Sequence, residues 1–171
     1  MIVQDLITIA GQRQNQSNQP LALIAIDEFS ALDADNILNL FARSRGAGMS
    51  VLLSTQELAD LERLTPGFKD QVLGNIGVLM AHRQNVPHSA ELIAQMIGTN
   101  SVWRTTHQTE QVRFFGNTQT RGTGLGTSKQ VEEFRIHPNE IKELGIGQAV
   151  LITKAPTSSA TPINVRPWQP R

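Results

Sequence analysis

Two carboxylates at consecutive positions, Asp27 and Glu28, close an apolar run from Leu21 to Ile26 in the stretch LALIAIDEFSAL. Magnesium-assisted hydrolysis of a nucleoside triphosphate uses such a pair. One carboxylate holds the ion, directly or through its water shell, and the second polarises the attacking water. An apolar strand ending in Asp-Glu is the pattern of a Walker B element. Both acids also have an ordinary reading, because Asp and Glu after a strand are common loop residues and Asp is a common helix cap. Gln56 follows a second short apolar run, Met49 to Ser54. A polar side chain there could contact a γ-phosphate or its attacking water, and could equally cap a helix over Glu57 to Leu64. Arg43 and Arg45, in FARSRGAGMS, could be stabilising fingers offered to a neighbouring subunit's nucleotide. Cations in the last turn of a helix are also favoured by the helix dipole alone.

The elements that must position these residues follow from pattern. Leu21 to Ile26 is too short for a typical helix and apolar at successive positions, as in a strand covered on both faces. Asp33 or Asp35 can cap a helix that runs to Arg45, with Ile37, Leu38, Leu40 and Phe41 on its apolar side and Gly46 and Gly48 ending it. Met49 to Ser54 then reads as a strand, so the order strand, helix, strand has the logic of a parallel sheet. Glu57 to Leu64 and Phe68 to Leu73 suggest short helices, Ile76 to Ala81 a third strand, and Pro87 to Gly98 a bracketed helix. Alternation from Ser101 to Phe115 suggests a β-excursion, Gly116 to Gln130 a loop, and Val131 to Ile136 a returning strand. Pro138 to Leu144 reads as a short helix and Gln148 to Lys154 as a last strand. Met1 to Ala10 is compatible with helix or strand. Gly11 to Pro20 reads as a surface loop. From Ala155 onward four prolines with Ser and Thr predict a disordered tail that Trp168 could anchor to a partner.

The chain has 171 residues, 39% of them apolar, enough for one domain with a real core. No run approaches the roughly 20 apolar residues needed to span a bilayer, and the amino terminus lacks the pattern of a cleaved leader. Fifteen basic and fifteen acidic residues give no field that would draw the chain onto nucleic acid, so any DNA contact must be local or come from a larger assembly. The absence of cysteine excludes disulfides, thiolate zinc sites and cysteine nucleophiles. His82, His88, His107 and His137 show no paired metal spacing. The glycine-rich RGTGLGTSK, Arg121 to Lys129, is not a Walker A loop, because Gly-Lys followed by Ser or Thr is missing; it reads as a flexible loop.

In combination these features resemble the FtsK/HerA superfamily of DNA-pumping ATPases, and within it the coupling proteins of type IV secretion and conjugation, the TraG/TraD family. The resemblance lies in Asp27-Glu28-Phe29 with Leu32, Arg45-Gly46-Ala47-Gly48, Gln56, Asn75 and the closing segment Glu132 to Lys154. It implies an α/β fold: part of a RecA-like P-loop NTPase core, a mainly parallel sheet flanked by helices, with a small β-excursion. It divides the chain into a leading segment and loop (1–20), the carboxyl-terminal part of a RecA-like ATPase domain (21–154) and the tail (155–171). By this likeness Asp27 serves Mg²⁺ through water, Glu28 is the catalytic base, Gln56 senses the γ-phosphate of ATP, and Arg45, then Arg43, is the finger in trans. The implied partners are DNA or a nucleoprotein substrate, further copies of the chain in a hexameric ring, and secretion-channel proteins. The implied place is the cytoplasmic face of the inner membrane, reached through an amino-terminal part that this chain lacks along with the Walker A loop. Two other readings share the same residues: a nucleotide-free RecA-like binding module, and a fragment of a HerA-type hexameric helicase.

Overall fold

Apolar residues at Val3, Leu6, Ile7 and Ala10 recur at helical spacing, and they form one face of helix α1 (Ile2–Arg13). This settles the helix-or-strand ambiguity of the first segment, and it carries helix through Gly11–Arg13, where the sequence predicted loop. The structure, a computed structural model, describes residues 2–15, 20–114 and 117–166, without the side chains from 107 to 125. It divides into two compact units, Met1–Met80 with Thr153–Ser158, and Ala81–Ile152 with Ser159–Arg171.

In the first unit, β1 (Ala22–Ile26) leads through a 3-10 turn (Phe29–Ala31) into α2 (Ala34–Gly46). Of the two candidate caps Asp33 acts: its Oδ1 accepts the Asn36 N–H at 3.1 Å. α2 runs through Gly46, and Gly48, at a φ of 62°, makes the left-handed turn into β2 (Met49–Leu53). β1 and β2 pair in parallel, Ala22 opposite Met49 through Ile26 opposite Leu53. After β2 come α3 (Leu58–Leu64), α4 (Phe68–Asn75) and β3 (Val78–Ala81).

Two apolar clusters hold this unit together. Ile7 and Ala10 of α1 meet Leu40 of α2 and Ile24 and Met49 of the sheet. Phe29, Ile37, Leu61, Phe68 and Val72 form the other, with Ile26 and Leu53 packed against it. Ile37 and Leu40 are fully buried, and each such side chain contributes about 1.5–3 kcal/mol. All the helices of these clusters lie against one parity of the strands: Ala22, Ile24, Ile26, Met49, Val51 and Leu53. The expectation of a strand covered on both faces is therefore met on one face only. Leu23 is 70% exposed and Leu52 58%, because no element of the described chain packs over them.

The second unit carries α5 (Pro87–Ile97), β4 (Thr99–Phe114), β5 (Asn117–Phe134), α6 (Pro138–Lys142), β6 (Gln148–Thr153) and β7 (Ser159–Asn164). Pro87 opens α5 and Gly98 closes it, as predicted. β4 and β5 form an antiparallel pair from Thr99–Phe134 to Phe114–Asn117, with one irregularity between His107 and Thr109. The predicted loop over 116–130 is thus strand from Asn117 onward: glycines at 122 and 126 take their places in the backbone ladder opposite Thr109 and His107. α6 is capped by His137, whose Nδ1 accepts the Asn139 N–H at 3.2 Å, while Glu140 returns a bond to the His137 N–H at 2.8 Å. The disordered tail expected over 155–171 does not hold for Ser159–Asn164, which form β7 beside β6. Pairing with β6 supplies the backbone hydrogen bonds that a proline-containing tail would otherwise give to water. Trp168 lies outside the described residues.

Candidate active site at the carboxyl end of the sheet

Beyond the last paired residues, Ile26 and Leu53, the two parallel chains stay stitched together. The Ser54 N–H donates to the Ile26 carbonyl and the Phe29 N–H to the Ser54 carbonyl, each at 3.0 Å. Asp27 and Glu28 are held between these two bonds. The Oδ1 of Asp27 accepts the Ser54 hydroxyl and the Glu28 N–H, the latter at 3.0 Å. Both donors use one oxygen, and the side chain is exposed, so the second oxygen faces outward with no partner among the described residues.

Glu28 is in the left-handed region, φ 50° and ψ 49°, where a side chain is strained. That conformation turns the chain sharply and drives Phe29 into the core, 3% exposed and 6.5 Å from the ring of Phe68. The half-buried carboxylate of Glu28 accepts the Ser30 hydroxyl. Each acid is thus oriented by a serine, Asp27 by Ser54 on the neighbouring strand and Glu28 by Ser30 two residues on. Neither serine was singled out by sequence. The available signal was the hydroxyl at the end of the run next to the acidic one.

Gln56 stands two residues past Ser54, exposed, on the same rim as Asp27. Its reading as a helix cap falls away, since Glu57 occupies the cap of α3 and its Oε1 accepts the Leu58 N–H at 3.0 Å. Arg43 and Arg45 are not brought to this rim. α2 starts beside it and runs back toward the amino ends of the strands, where the Ala22 N–H reaches the Gly48 carbonyl at 3.4 Å. Nine and eleven residues of helix rise set Arg43 and Arg45 about 14 and 17 Å along the axis from Ala34, which opens α2 beside the rim. Both are exposed and form no ion pair among the described residues. Any contact with a nucleotide at the acids would have to come from another copy.

No group of three or more His, Asp or Glu that could hold a metal gathers among the described residues. A single outward carboxylate oxygen fits Mg²⁺, which keeps several waters and takes one or two carboxylates. The residues therefore fit the ion side of a Mg-nucleotide site. The phosphate side needs a cradle of backbone N–H groups and a lysine, and the sequence contains no Gly-x-x-x-x-Gly-Lys-Ser/Thr. No helix among the described residues is long and apolar enough to cross a membrane.

Solved structures share this architecture. A bacterial conjugative coupling protein, TrwBdeltaN70 in an unbound monoclinic form, superposes with a TM-score of 0.69 at 16% identity, over 96% of this chain and 36% of its own. The plasmid coupling protein TrwB with a non-hydrolysable GTP analogue gives 0.69 at 15% over the same shares, and TrwB with ADP and Mg²⁺ gives 0.65 at 14%. The α/β, RecA-like core implied by the resemblance is thus the fold, and the chain spans about a third of the length of these coupling proteins. None of the curated protein sequences matches. The model of the family described as the TraM recognition site of TraD and TraG matches residues 21–145, and the chain belongs to that TraG/TraD family.

Proposed function

We propose that this chain is part of an ATP-hydrolysing motor that moves DNA or a nucleoprotein substrate toward a conjugative or type IV secretion channel. The observation that carries the reading is the pair Asp27–Glu28, each held by a serine, on a rim shared with Gln56 at the ends of two adjacent parallel strands. Asp27, its carboxylate oriented by Ser54, would hold Mg²⁺ through water. Glu28, oriented by Ser30, takes the proton of the attacking water, and Gln56 contacts the γ-phosphate region from the next strand. Mg-ATP, when bound, would supply the γ-phosphoryl group, with the Mg²⁺ charge offsetting that of the phosphates. Arg45, or Arg43, comes from the next subunit of a ring, since in its own chain it lies at the opposite end of α2. The motor would act at the cytoplasmic face of the inner membrane.

The test is Glu28→Gln in the assembled motor. It retains nucleotide binding and loses turnover by 10² or more, the lower end for a general base. Turnover within twofold of the parent overturns the assignment. A second reading, a nucleotide-free docking module for a protein such as TraM, is favoured by the family's description as a recognition site. Calorimetry separates the two: heat with Mg-ATP that disappears in Asp27→Asn supports the motor, and saturable protein binding without nucleotide heat supports the module.

A further inference from the structure

β4 and β5 form a two-stranded sheet of their own, and no third strand joins them among the described residues. Every described side chain from Thr99 to Thr106 and from Thr127 to Gln130 is exposed, Trp103 at 68%. A ribbon of two strands that buries neither face is marginally stable in water. Yet the sixteen residues of β4 extend it to about 50 Å, so it suits a ligand better than a core.

The chemistry of the ribbon is polar and cationic. Half of the residues from Thr99 to Gln130 are Ser, Thr, Asn or Gln. Four of the fifteen basic residues of the chain fall there, Arg104, Arg113, Arg121 and Lys129, against one of its fifteen acids, Glu110, so the ribbon is positive on a chain of zero net charge. Arg104 and Lys129 are register partners, and like charges directly opposite repel. Glu133 relieves Arg104 through an ion pair at 2.6 Å, while Lys129 forms none among the described residues. The glycine-rich stretch from Arg121 to Lys129 finds its place in the same ribbon. Thr109 pairs with Gly122 and His107 with Gly126, which leaves Gln108 alone opposite residues 123–125. Three residues against one bend the ribbon and increase its twist. With glycine at 122, 124 and 126, a phosphate can approach the N–H groups of this unpaired backbone.

The geometry points to the β4–β5 ribbon as a DNA-binding element that lies in the major groove of a duplex. The major groove of B-form DNA admits a two-stranded ribbon, and about 50 Å is roughly one and a half helical turns. A bent, twisted ribbon follows that groove, and its cations and hydroxyls meet the flanking phosphates. The major groove of an RNA duplex is too narrow and deep to receive it. A second copy of the chain is the poorer occupant: its other residues carry eleven basic groups against fourteen acidic ones, an excess far less dense than that of a phosphate backbone. The inference does not rest on Asp27 and Glu28. Its test contains no nucleotide, so it and the proposed hydrolysis can fail separately.

The probe is a DNA duplex of about 30 base pairs, titrated into this chain between about 50 and 200 mM salt. Binding saturates, the amide resonances of Thr123, Gly124 and Leu125 shift, and Kd rises with salt at a log–log slope of about 3–4, roughly 0.9 for each of four phosphate contacts. The combination Arg113→Ala, Arg121→Ala and Lys129→Ala brings the slope to about 1 and raises Kd at low salt about tenfold or more. Arg113→Lys with Arg121→Lys keeps Kd within about threefold, because a phosphate is also held by a point charge. Absence of saturation, shifts that miss residues 123–125, an RNA duplex bound as tightly as DNA, or a lysine variant as weak as the alanine one overturns the inference. So does a dimer of this chain that the alanine variant dissolves, since the ribbon would then belong to a second copy.

Discussion

Glu28 is a non-glycine residue held in the left-handed region, and the strain there can be measured. Glu28→Ala and Glu28→Gly remove the same carboxylate and the same hydrogen bond from Ser30, so the two variants differ only in the backbone at φ 50° and ψ 49°. An alanine in this region is disfavoured by about 1–2 kcal/mol, and glycine is not, although glycine gains more freedom in the unfolded chain. The balance leaves Glu28→Gly more stable than Glu28→Ala by about 1 kcal/mol. With a urea slope of about 2 kcal/mol/M, unfolding followed by circular dichroism separates their midpoints by about 0.5 M. A midpoint for the alanine variant equal to or above that of the glycine variant refutes the left-handed turn, and with it the geometry that aims the Glu28 carboxylate. The strain has a functional sense: glycine suits this backbone better, yet the position carries the one side chain that the proposed chemistry needs as a base.

Two further outcomes follow from burial and from charge. Leu40→Ala, at a fully buried position against Ile7, Ile24 and Met49, costs about 2–5 kcal/mol, whereas Leu23→Ala on the uncovered face stays within about 0.5 kcal/mol; equal losses in urea unfolding would refute the one-sided packing. At the root of the β4–β5 pair the hydroxyls of Ser101 and Thr99 donate to Glu132, and they hold its carboxyl below the usual carboxylate range. A lowered folded pKa means that this contribution is complete above the ordinary value of 4.5 and is lost as pH falls below it through the folded pKa. Carboxyl NMR titration reads it, and Ser101→Ala moves the Glu132 midpoint back up; an unmoved midpoint removes the cause.

What was legible in the sequence is what short-range physics writes there. The caps, glycine stops and apolar spacing around Asp33, Gly48, Pro87 and Gly98 state where helices begin and end, and the order of runs states a parallel α/β sheet. The rim was legible through Asp27, Glu28 and Gln56, whose residue types are demanding. Ser54 and Ser30 were not, because a serine acquires its role only from the acid it happens to face across a strand or a turn. The glycine-rich stretch from Arg121 to Lys129 carries turn chemistry in its composition, yet its strand state depends on a partner strand about twenty residues away in sequence. β7 escaped for the same reason, since its pairing with β6 overrides a local composition of Pro, Ser and Thr.

The most instructive departure is the run Leu21 to Ile26. Its side chains are apolar at successive positions, which is how a strand buried on both faces is written, but the described chain buries one parity and leaves Leu23 and Leu52 in solvent. A strand evolved for a half-wetted sheet would alternate, with polar residues on the open face. The run is therefore more apolar than packing on one face alone requires. Helices over one face of β1 and β2 account for Ile24 and Met49, whereas no element among the described residues packs over Leu23 and Leu52.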